Sequence, residues 1–243
     1  MKTWQKILIP SLITVLVGGI YLFIVWKHRQ NPGVATRQPQ QHLCADDVAV
    51  VRMEFPQHFD DEKELEGKSV WMKNGYSMPY YPYAAGRVGW TRPVGLLPAA
   101  QKLDVKKVIK AAAPTSVHDN IEHGGRQVMV VLTLPQGSPP GKEEFATPVG
   151  FLQGNDEHYY CDQLFYYDDP HTIYSNWPRE TWAAIDAHQV KPGMSELQTR
   201  MAIGMKADPD GQIEGSRTVD YDVNGKHIVV TYRDNRATQI QGQ

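Results

Sequence analysis

The chain has 243 residues and a formal net charge of −2, from 25 lysines and arginines against 27 aspartates and glutamates. This balance argues against a nucleic-acid-binding protein, because such proteins carry a clear excess of positive charge. A hydrophobic content of 41% indicates a folded chain, and its length leaves room for one large domain or two small ones. With only two cysteines, a dense disulfide framework and a cysteine-only zinc site are both excluded.

The N-terminus departs from this average composition. Residues 7–26 contain no charged side chain, and a helix of that length spans roughly 30 Å, the thickness of the hydrocarbon core of a bilayer. Trp4, Tyr21 and Trp26 lie near the ends of this run, where aromatic rings favour the membrane interface. The segment therefore predicts a membrane-spanning helix that contacts the bilayer through residues 7–26.

A cleaved signal peptide is the alternative for this segment. Its apolar core is usually about 7–15 residues long and is followed closely by small residues, whereas residues 27–29 are Lys-His-Arg. We expect an uncleaved transmembrane anchor over residues 1–29 and, because residues 30–43 are rich in proline, glycine and glutamine, a polar linker after it. Positive charges flank both ends of the anchor, so charge alone leaves its orientation open.

The region of residues 44–170 consists mostly of short apolar runs separated by turn residues, which indicates β structure. The runs cover residues 48–53, 69–73, 103–109, 127–134, 147–153 and 159–167. The third run alternates only partly and fits either a strand or a helical turn. Their spacing predicts a small barrel or sandwich, and residues 70–108 resemble an SH3-like barrel, with a strand, an Asn-Gly turn and a Pro/Tyr-rich loop.

That loop contains a cluster of tyrosines, with two prolines among them. The tyrosines are Tyr76, Tyr80, Tyr81 and Tyr83. Such a cluster is typical of a groove that binds peptides, but a stiff, packed loop explains the same composition and is the interpretation that we favour. The four tyrosines remain the candidate interaction surface.

Residues 171–243 predict two helices followed by a β-hairpin. The first helix begins near Pro178, which suits a first turn, with Ser175 or Asn176 as its cap. Trp182 and Ile185 are three positions apart and therefore share one face.

The second helix begins with a capping box. The Ser195 hydroxyl accepts from the backbone N–H of Gln198, whose side chain reaches back to the Ser195 backbone, and Gly204 closes the helix. Residues 219–232 then alternate around an Asn-Gly turn. This register places six apolar or aromatic side chains on the face that packs on the helices: Val219, Tyr221, Val223, Ile228, Val230 and Tyr232.

Residues 178–240 resemble the SmpA/OmlA (BamE-like) family. The family pattern is a Gly-Met-Ser/Thr run leading to Leu-Gly, followed by an aromatic strand and a second strand ending in an aromatic residue. The matching residues are Gly193, Met194, Ser195, Gln198, Gly204, Tyr221 and Tyr232. Two departures are the missing proline after Gly204 and the missing lipoprotein cysteine after the apolar run. The fold is also similar to that of secreted β-lactamase inhibitor proteins, which work by surface contact.

The resemblance implies an α-α-β-β domain in a protein of the bacterial cell envelope that works by contact with other proteins. It places the soluble part in the periplasm, so the anchor is a single pass through the inner membrane. Since the periplasm is oxidising, the even cysteine count favours a disulfide between Cys44 and Cys161. The oligomeric state stays open.

Motifs for catalysis or metal binding are weak. A calcium loop around Asp208 and Asp210 is excluded by Lys206 and Arg217 at its first and last ligand positions. Three other combinations of polar residues lack the further groups that a metal site or a nucleophile needs: His118 with His123, His158 with Cys161, and Asp168 and Asp169 with His171. We therefore expect no enzyme, no cofactor and no metal.

Together, these observations predict an α+β protein with an N-terminal transmembrane helix, a β-rich domain over residues 44–170 and a BamE-like domain over residues 171–243. The expected function is protein–protein interaction, in envelope or outer-membrane assembly. Two alternatives stay open: an anchored module that binds peptidoglycan or peptides, and a hydrolase based on aspartate and histidine.

Overall fold

A computed structural model describes residues 16, 18–23, 25–27, 46, 49–73, 78–117, 119, 121–135, 143–204, 213–223 and 226–242. The chain divides into two compact units, Met1–Leu43 and Cys44–Gln243. In the first unit, residues 18–23 and 25–27 are helical. Within the described part of the chain, no helix has both the length and the apolar character needed to cross a bilayer. Most of the predicted anchor and all of the predicted linker lie outside the described residues.

The second unit is α+β, as predicted, and is built mainly from a nine-stranded sheet. Its strands are β1 (Ser69–Met72), β2 (Met78–Ala84), β3 (Arg87–Val88), β4 (Gly95–Leu97), β5 (Lys102–Ala111), β6 (Arg126–Thr133), β7 (Glu144–Gln153), β8 (Asp156–Tyr159) and β9 (Phe165–Tyr166). The order is β3-β2-β7-β6-β5-β1-β9, with β4 paired to β2 and β8 paired to β7.

The described helices are short, and a second, smaller sheet follows them. The helices are α1 (Phe59–Glu62), α2 (Cys161–Leu164), α3 (Pro170–Ile173), α4 (Arg179–Asp186) and α5 (Glu196–Ile203), with a 3-10 turn at Lys63–Leu65. The small sheet contains β10 (Thr218–Val223), β11 (Lys226–Arg233) and β12 (Arg236–Gln241), in that order.

Strand β6 lies at the centre of the large sheet, and all of its residues after Arg126 are buried. Both faces of the sheet are covered there, which explains why its sequence is a continuous apolar run rather than an alternating one. Val130 and Leu132 pack into the main core. Met129 and Val131 pack on the opposite face, in a smaller cluster with Tyr81.

The predicted strands at residues 69–73, 127–134 and 147–153 are confirmed as β1, β6 and β7, and residues 103–109 lie in a strand rather than a helical turn. Two predicted runs are corrected. Residues 49–53 form no strand, although their sequence fits the pattern of one. Ala49 and Val51 pack instead on the C-terminal core. The run at residues 159–167 is interrupted by α2, which turns the chain between β8 and β9.

The Pro/Tyr-rich segment is strand β2, where a packed loop was predicted. Prolines usually weaken a strand because they cannot donate a backbone hydrogen bond. Strand β2 accommodates them by changing partners along its length: its first half pairs with β4, and its second half pairs with β7 and β3. The carbonyls of Pro79 and Pro82 still accept hydrogen bonds, from the hydroxyl of Thr147 and the N–H of Gly89.

The C-terminal predictions are largely confirmed. The hairpin pairs Val219 with Val230 and Tyr221 with Ile228, although its Asn-Gly turn lies outside the described residues. The capping box of Ser195 is present. Helix α4 begins one residue later than predicted, with Pro178 itself at the cap position and no side chain capping it.

Strand β12 was not predicted, because the expected arrangement α-α-β-β ends with the hairpin of β10 and β11. It follows a tight turn at Asp234 and Asn235, which both have positive φ angles of 50° and 56°, the backbone geometry of a hairpin turn. Only Ala237 is buried in this strand, so its sequence lacks the apolar alternation that marks β10 and β11.

The C-terminal core is continuous with the large sheet. Trp182, Ile185 and Tyr221 belong to a buried cluster that also contains Tyr166 of β9, and Trp71 of β1 packs against it. The predicted boundary at residue 170 therefore falls where the chain passes from one sheet to the other, inside a single compact unit.

Candidate binding groove

An open groove with a volume of about 690 Å³ lies beside strand β2. We call it the Trp90 groove. Its apolar lining consists of Pro79, Tyr81, Trp90, Pro93, Leu96, Pro114 and Val117. Leu96 is 56% exposed and the neighbouring Val94 is 51% exposed. Large apolar side chains that are exposed next to one another are typical of binding surfaces.

The alternation of side chains along β2 positions one wall of the groove. Successive residues of a strand point to opposite faces of the sheet, so Tyr81 and Tyr83 face the groove side and Tyr80 faces the main core, where it meets Phe145 edge-on at 5.1 Å. The predicted tyrosine cluster is therefore divided between two faces, and Tyr76 lies outside the described residues.

Trp90 forms the second wall and was not identified from the sequence. Its ring lies 5.2 Å from that of Tyr81, tilted by 54°. The loop that carries Trp90 is fixed on both sides by backbone hydrogen bonds, from Gly89 N to Pro82 O and from Val94 N to Tyr80 O, each 2.8 Å. The tryptophan is therefore held in place by the strand that supplies its aromatic neighbour.

The floor of the groove contains a carboxylate whose side chain is fully buried. Asp119 accepts hydrogen bonds from Ile121 N and from Gln127 Nε2, both at 3.1 Å, and His123 Nε2 lies 3.8 Å from it. Burial, and then the negative charge of Asp119, raise the pKa of Tyr81, so its phenol is neutral at physiological pH. The aromatic wall that Tyr81 contributes to the groove is thus uncharged.

Trp90 also borders a second groove, with a volume of about 520 Å³. We call it the basic groove. Tyr83, Arg87 and Lys107 line it, together with Val88 and Ile109. None of its lining residues carries a carboxyl group, so its charge is opposite to that of Asp119 in the Trp90 groove.

The residues that carry the SmpA/OmlA resemblance build the C-terminal layer rather than a surface site. Gly193 has a φ angle of 86°, and its N–H donates to Ala237 O at 2.9 Å while Met194 O accepts from Ala237 N at 2.8 Å. These bonds attach the segment before α5 to strand β12.

The remaining motif residues have equally local roles. Ser195 and Gln198 cap α5, and Gly204 ends it with a φ angle of 82°. The hydroxyls of Tyr221 and Tyr232 lie 2.9 Å apart in the core. The motif therefore contributes caps and core contacts.

The same layer contains a buried ion-pair network. Glu196 is 1% exposed, and its Oε1 accepts from Arg217 at 2.6 Å and from Arg200 at 3.1 Å. Its Oε2 accepts from Gly215 N at 2.8 Å. The carboxylate thus joins α5 to the segment that precedes β10.

Cys161 does not have the environment of a catalytic nucleophile. Its thiol is free and buried, and it donates to Oε2 of Glu62 at 2.8 Å. Burial and the neighbouring Glu62 raise the pKa of the thiol well above its usual value, which disfavours the reactive thiolate. Burial also raises the pKa of Glu62 to about 7. The disulfide with Cys44 stays a prediction, because Cys44 lies outside the described residues.

The other polar candidates have separate local contacts. His158 stacks on Phe151 at 4.5 Å and His171 on Trp182 at 3.9 Å. Asp169 caps α3 and contacts His171 at 2.9 Å. His118 and the loop around Asp208 lie outside the described residues, and within the described ones no three His, Cys, Asp or Glu side chains are grouped to hold a metal ion.

Comparisons with known proteins add no family to this description. The chain matches no protein-family model, no curated protein and no solved structure. Two grooves meet at Trp90 and give the chain its candidate binding surface.

Proposed function

We propose that this chain is a membrane-anchored protein of the bacterial cell envelope that acts by binding other proteins, in envelope or outer-membrane assembly. The observation that carries this proposal is the Trp90 groove. It combines a rigidly held tryptophan, several prolines and an exposed leucine in one open concavity of about 690 Å³. Aromatic and proline-lined concavities of this size are suited to peptide segments of partner proteins.

The proposed location comes from the N-terminal sequence. Residues 7–26 have the length and composition of a single membrane span, and residues 30–43 have those of a flexible linker. In the proposal, this span lies in the inner membrane and residues 44–243 lie in the periplasm. The proposal includes an SmpA/OmlA-type domain over residues 171–243 and an SH3-like arrangement within the large sheet.

The experiment is site-specific photo-crosslinking in living cells. A photoreactive amino acid at Leu96, which is exposed in the groove, should capture discrete protein partners. The matched control is the same amino acid at Lys106, which is also exposed but does not line the groove. Trp90→Ala in the Leu96 background should abolish the captured products.

Equal capture from both positions, or capture that survives Trp90→Ala, contradicts the proposal. Peptidoglycan binding is the alternative, because aromatic rings also stack on sugars. Co-sedimentation with purified sacculi that requires Trp90, without any protein product from Leu96, would establish it instead.

Extraction of membranes at alkaline pH tests the anchor separately: the full chain should stay with the membrane, and release into the soluble fraction contradicts the span.

A further inference from the structure

We infer that the Trp90 groove and the basic groove together bind one extended, acidic peptide segment of a partner protein. Proline or aliphatic side chains of the segment occupy the Trp90 groove, and its carboxylates lie against Arg87 and Lys107. The inference rests on the proposed function, because it assigns a ligand to the same surface. Beyond that function, the ligand is defined by its negative charge and by an apolar part that adjoins an acidic part.

The two grooves form one path. Trp90 borders both of them, and Tyr81 and Tyr83 stand two residues apart on the same face of β2, a separation of roughly 7 Å along a strand. An extended peptide advances by about 3.3 Å per residue. A segment that crosses Trp90 therefore reaches from the apolar groove into the basic one within a few residues.

The basic groove contains two cations that lack acidic partners in the described part of the chain. Arg87 and Lys107 are exposed, and neither forms an ion pair with another described residue. Two exposed cations elsewhere are paired, since Lys63 contacts Asp60 at 2.7 Å and Arg52 contacts Glu54 at 2.6 Å. Arg87 and Lys107 differ from them in lining one concavity together. Two uncompensated cations in a concavity without carboxyl groups favour an anionic ligand.

Lys110 also borders this groove, but its ammonium is engaged elsewhere. Its Nζ lies 4.1 Å from the ring centroid of Phe59, which packs against the core on the opposite face of the sheet. The side chains of Lys107 and Ile109 alternate with that of Lys110 along β5 and face the groove side. The positive charge of the groove is therefore that of Arg87 and Lys107.

The apolar half selects a peptide rather than a uniformly charged polymer. A nucleic acid or an anionic glycan carries its charge along its whole length, and such a ligand needs cations throughout the path. The Trp90 groove offers Pro79, Pro93 and Leu96 instead, with Asp119 at its floor. A peptide can present an apolar half and an acidic half in sequence, and this is the pattern that the two grooves match.

The test is a selection of phage-displayed random peptides on the full chain purified in detergent. Enriched peptides should place Asp or Glu beside proline or leucine. A synthetic peptide of the enriched sequence should then lose about tenfold in affinity on Arg87→Glu with Lys107→Glu, since each carboxylate now meets a like charge. The matched control, Lys106→Glu with Arg126→Glu, changes the net charge equally outside the grooves and should alter the affinity by less than about twofold.

The outcomes separate the inference from the proposed function. Enriched peptides without acidic residues, or binding that tolerates the Arg87/Lys107 reversal, overturn the inference, while loss of binding in Trp90→Ala still supports a protein-binding groove. Peptide binding that survives Trp90→Ala contradicts both. A selection that enriches no peptide also overturns the inference, and sacculi that bind through Trp90 would then assign the groove to peptidoglycan.

Discussion

Substitution of Glu196 by glutamine should destabilise the protein strongly, although it changes only one atom. The carboxylate is 1% exposed and accepts hydrogen bonds on both oxygens, from the two arginines on Oε1 and from Gly215 N on Oε2. The glutamine side chain has one acceptor oxygen and one NH2 group, which can only donate. In either orientation, the NH2 group therefore faces another donor. It also removes the negative charge that offsets the guanidinium groups of Arg200 and Arg217.

The expected loss is about 3–5 kcal/mol, the usual cost of removing one partner of a buried ion pair. This is a large part of the roughly 5–15 kcal/mol that holds a typical domain folded, and it corresponds to a fall in Tm on the order of 10 °C. Urea unfolding of the full chain measures it, with tryptophan fluorescence as the signal because Trp177 and Trp182 are buried in the same cluster.

Glu180→Gln provides the matched control. Glu180 also lies in the first turn of a helix, but it is exposed, so its loss should cost less than about 1 kcal/mol. If Glu196→Gln costs no more than Glu180→Gln, the network of Glu196 does not stabilise the C-terminal layer, and the reasoning from its burial is refuted.

Two further predictions concern the buried pair of Glu62 and Cys161. Because burial raises the pKa of Glu62 from 4.5 to about 7, the folded state holds its proton more tightly, so this stabilisation is complete below pH 4.5 and is lost as the pH rises to about 7. Stability curves should show wild type losing up to about 3 kcal/mol relative to Glu62→Gln across that range, and parallel curves would contradict the raised pKa. Cys161 should resist iodoacetamide in the native protein and react after denaturation with reduction, as mass spectrometry can show, whereas rapid native labelling would contradict its burial. The predicted disulfide requires that neither cysteine be labelled in denatured, unreduced protein, and labelling of both excludes it.

The features that were predictable from sequence are those set by local chemistry. The capping box of Ser195 and Gln198 needs only a hydroxyl and an amide three residues apart. The register of β10 and β11 follows from alternation around a two-residue turn. Strand β6 is buried on both faces, so its sequence is a continuous apolar run, and such a run indicates a buried strand.

The features that were missed depend on distant contacts. Strand β2 carries two prolines and becomes a strand only because β4, β7 and β3 share its length between them. Strand β12 has little apolar surface and is held by Gly193 and Met194. The Asp234-Asn235 dipeptide was the local signal that could have revealed it.

The Trp90 groove also depends on contacts between distant parts of the sequence. Tyr81 was identified as a candidate because it belongs to a visible aromatic cluster. The other groove residues come from two further segments: Arg87 and Trp90 follow the turn after β2, and Lys107 lies in β5. The order of the strands in the large sheet brings these residues to one face. The spacing of the residues along the sequence does not encode that order.

The way in which the chain enters its compact unit has a mechanical consequence. Asp46 accepts from the indole N–H of Trp177 at 2.7 Å, and the carboxylate of Asp162 accepts from the backbone N–H groups of Glu54 and Phe55, each at 2.8 Å. Tension applied to the chain ahead of Asp46 reaches these side-chain bonds before it reaches any strand. In the proposed anchored protein, these bonds would break first and lengthen the chain by about ten residues, roughly 30 Å when extended, while both sheets keep their hydrogen bonds.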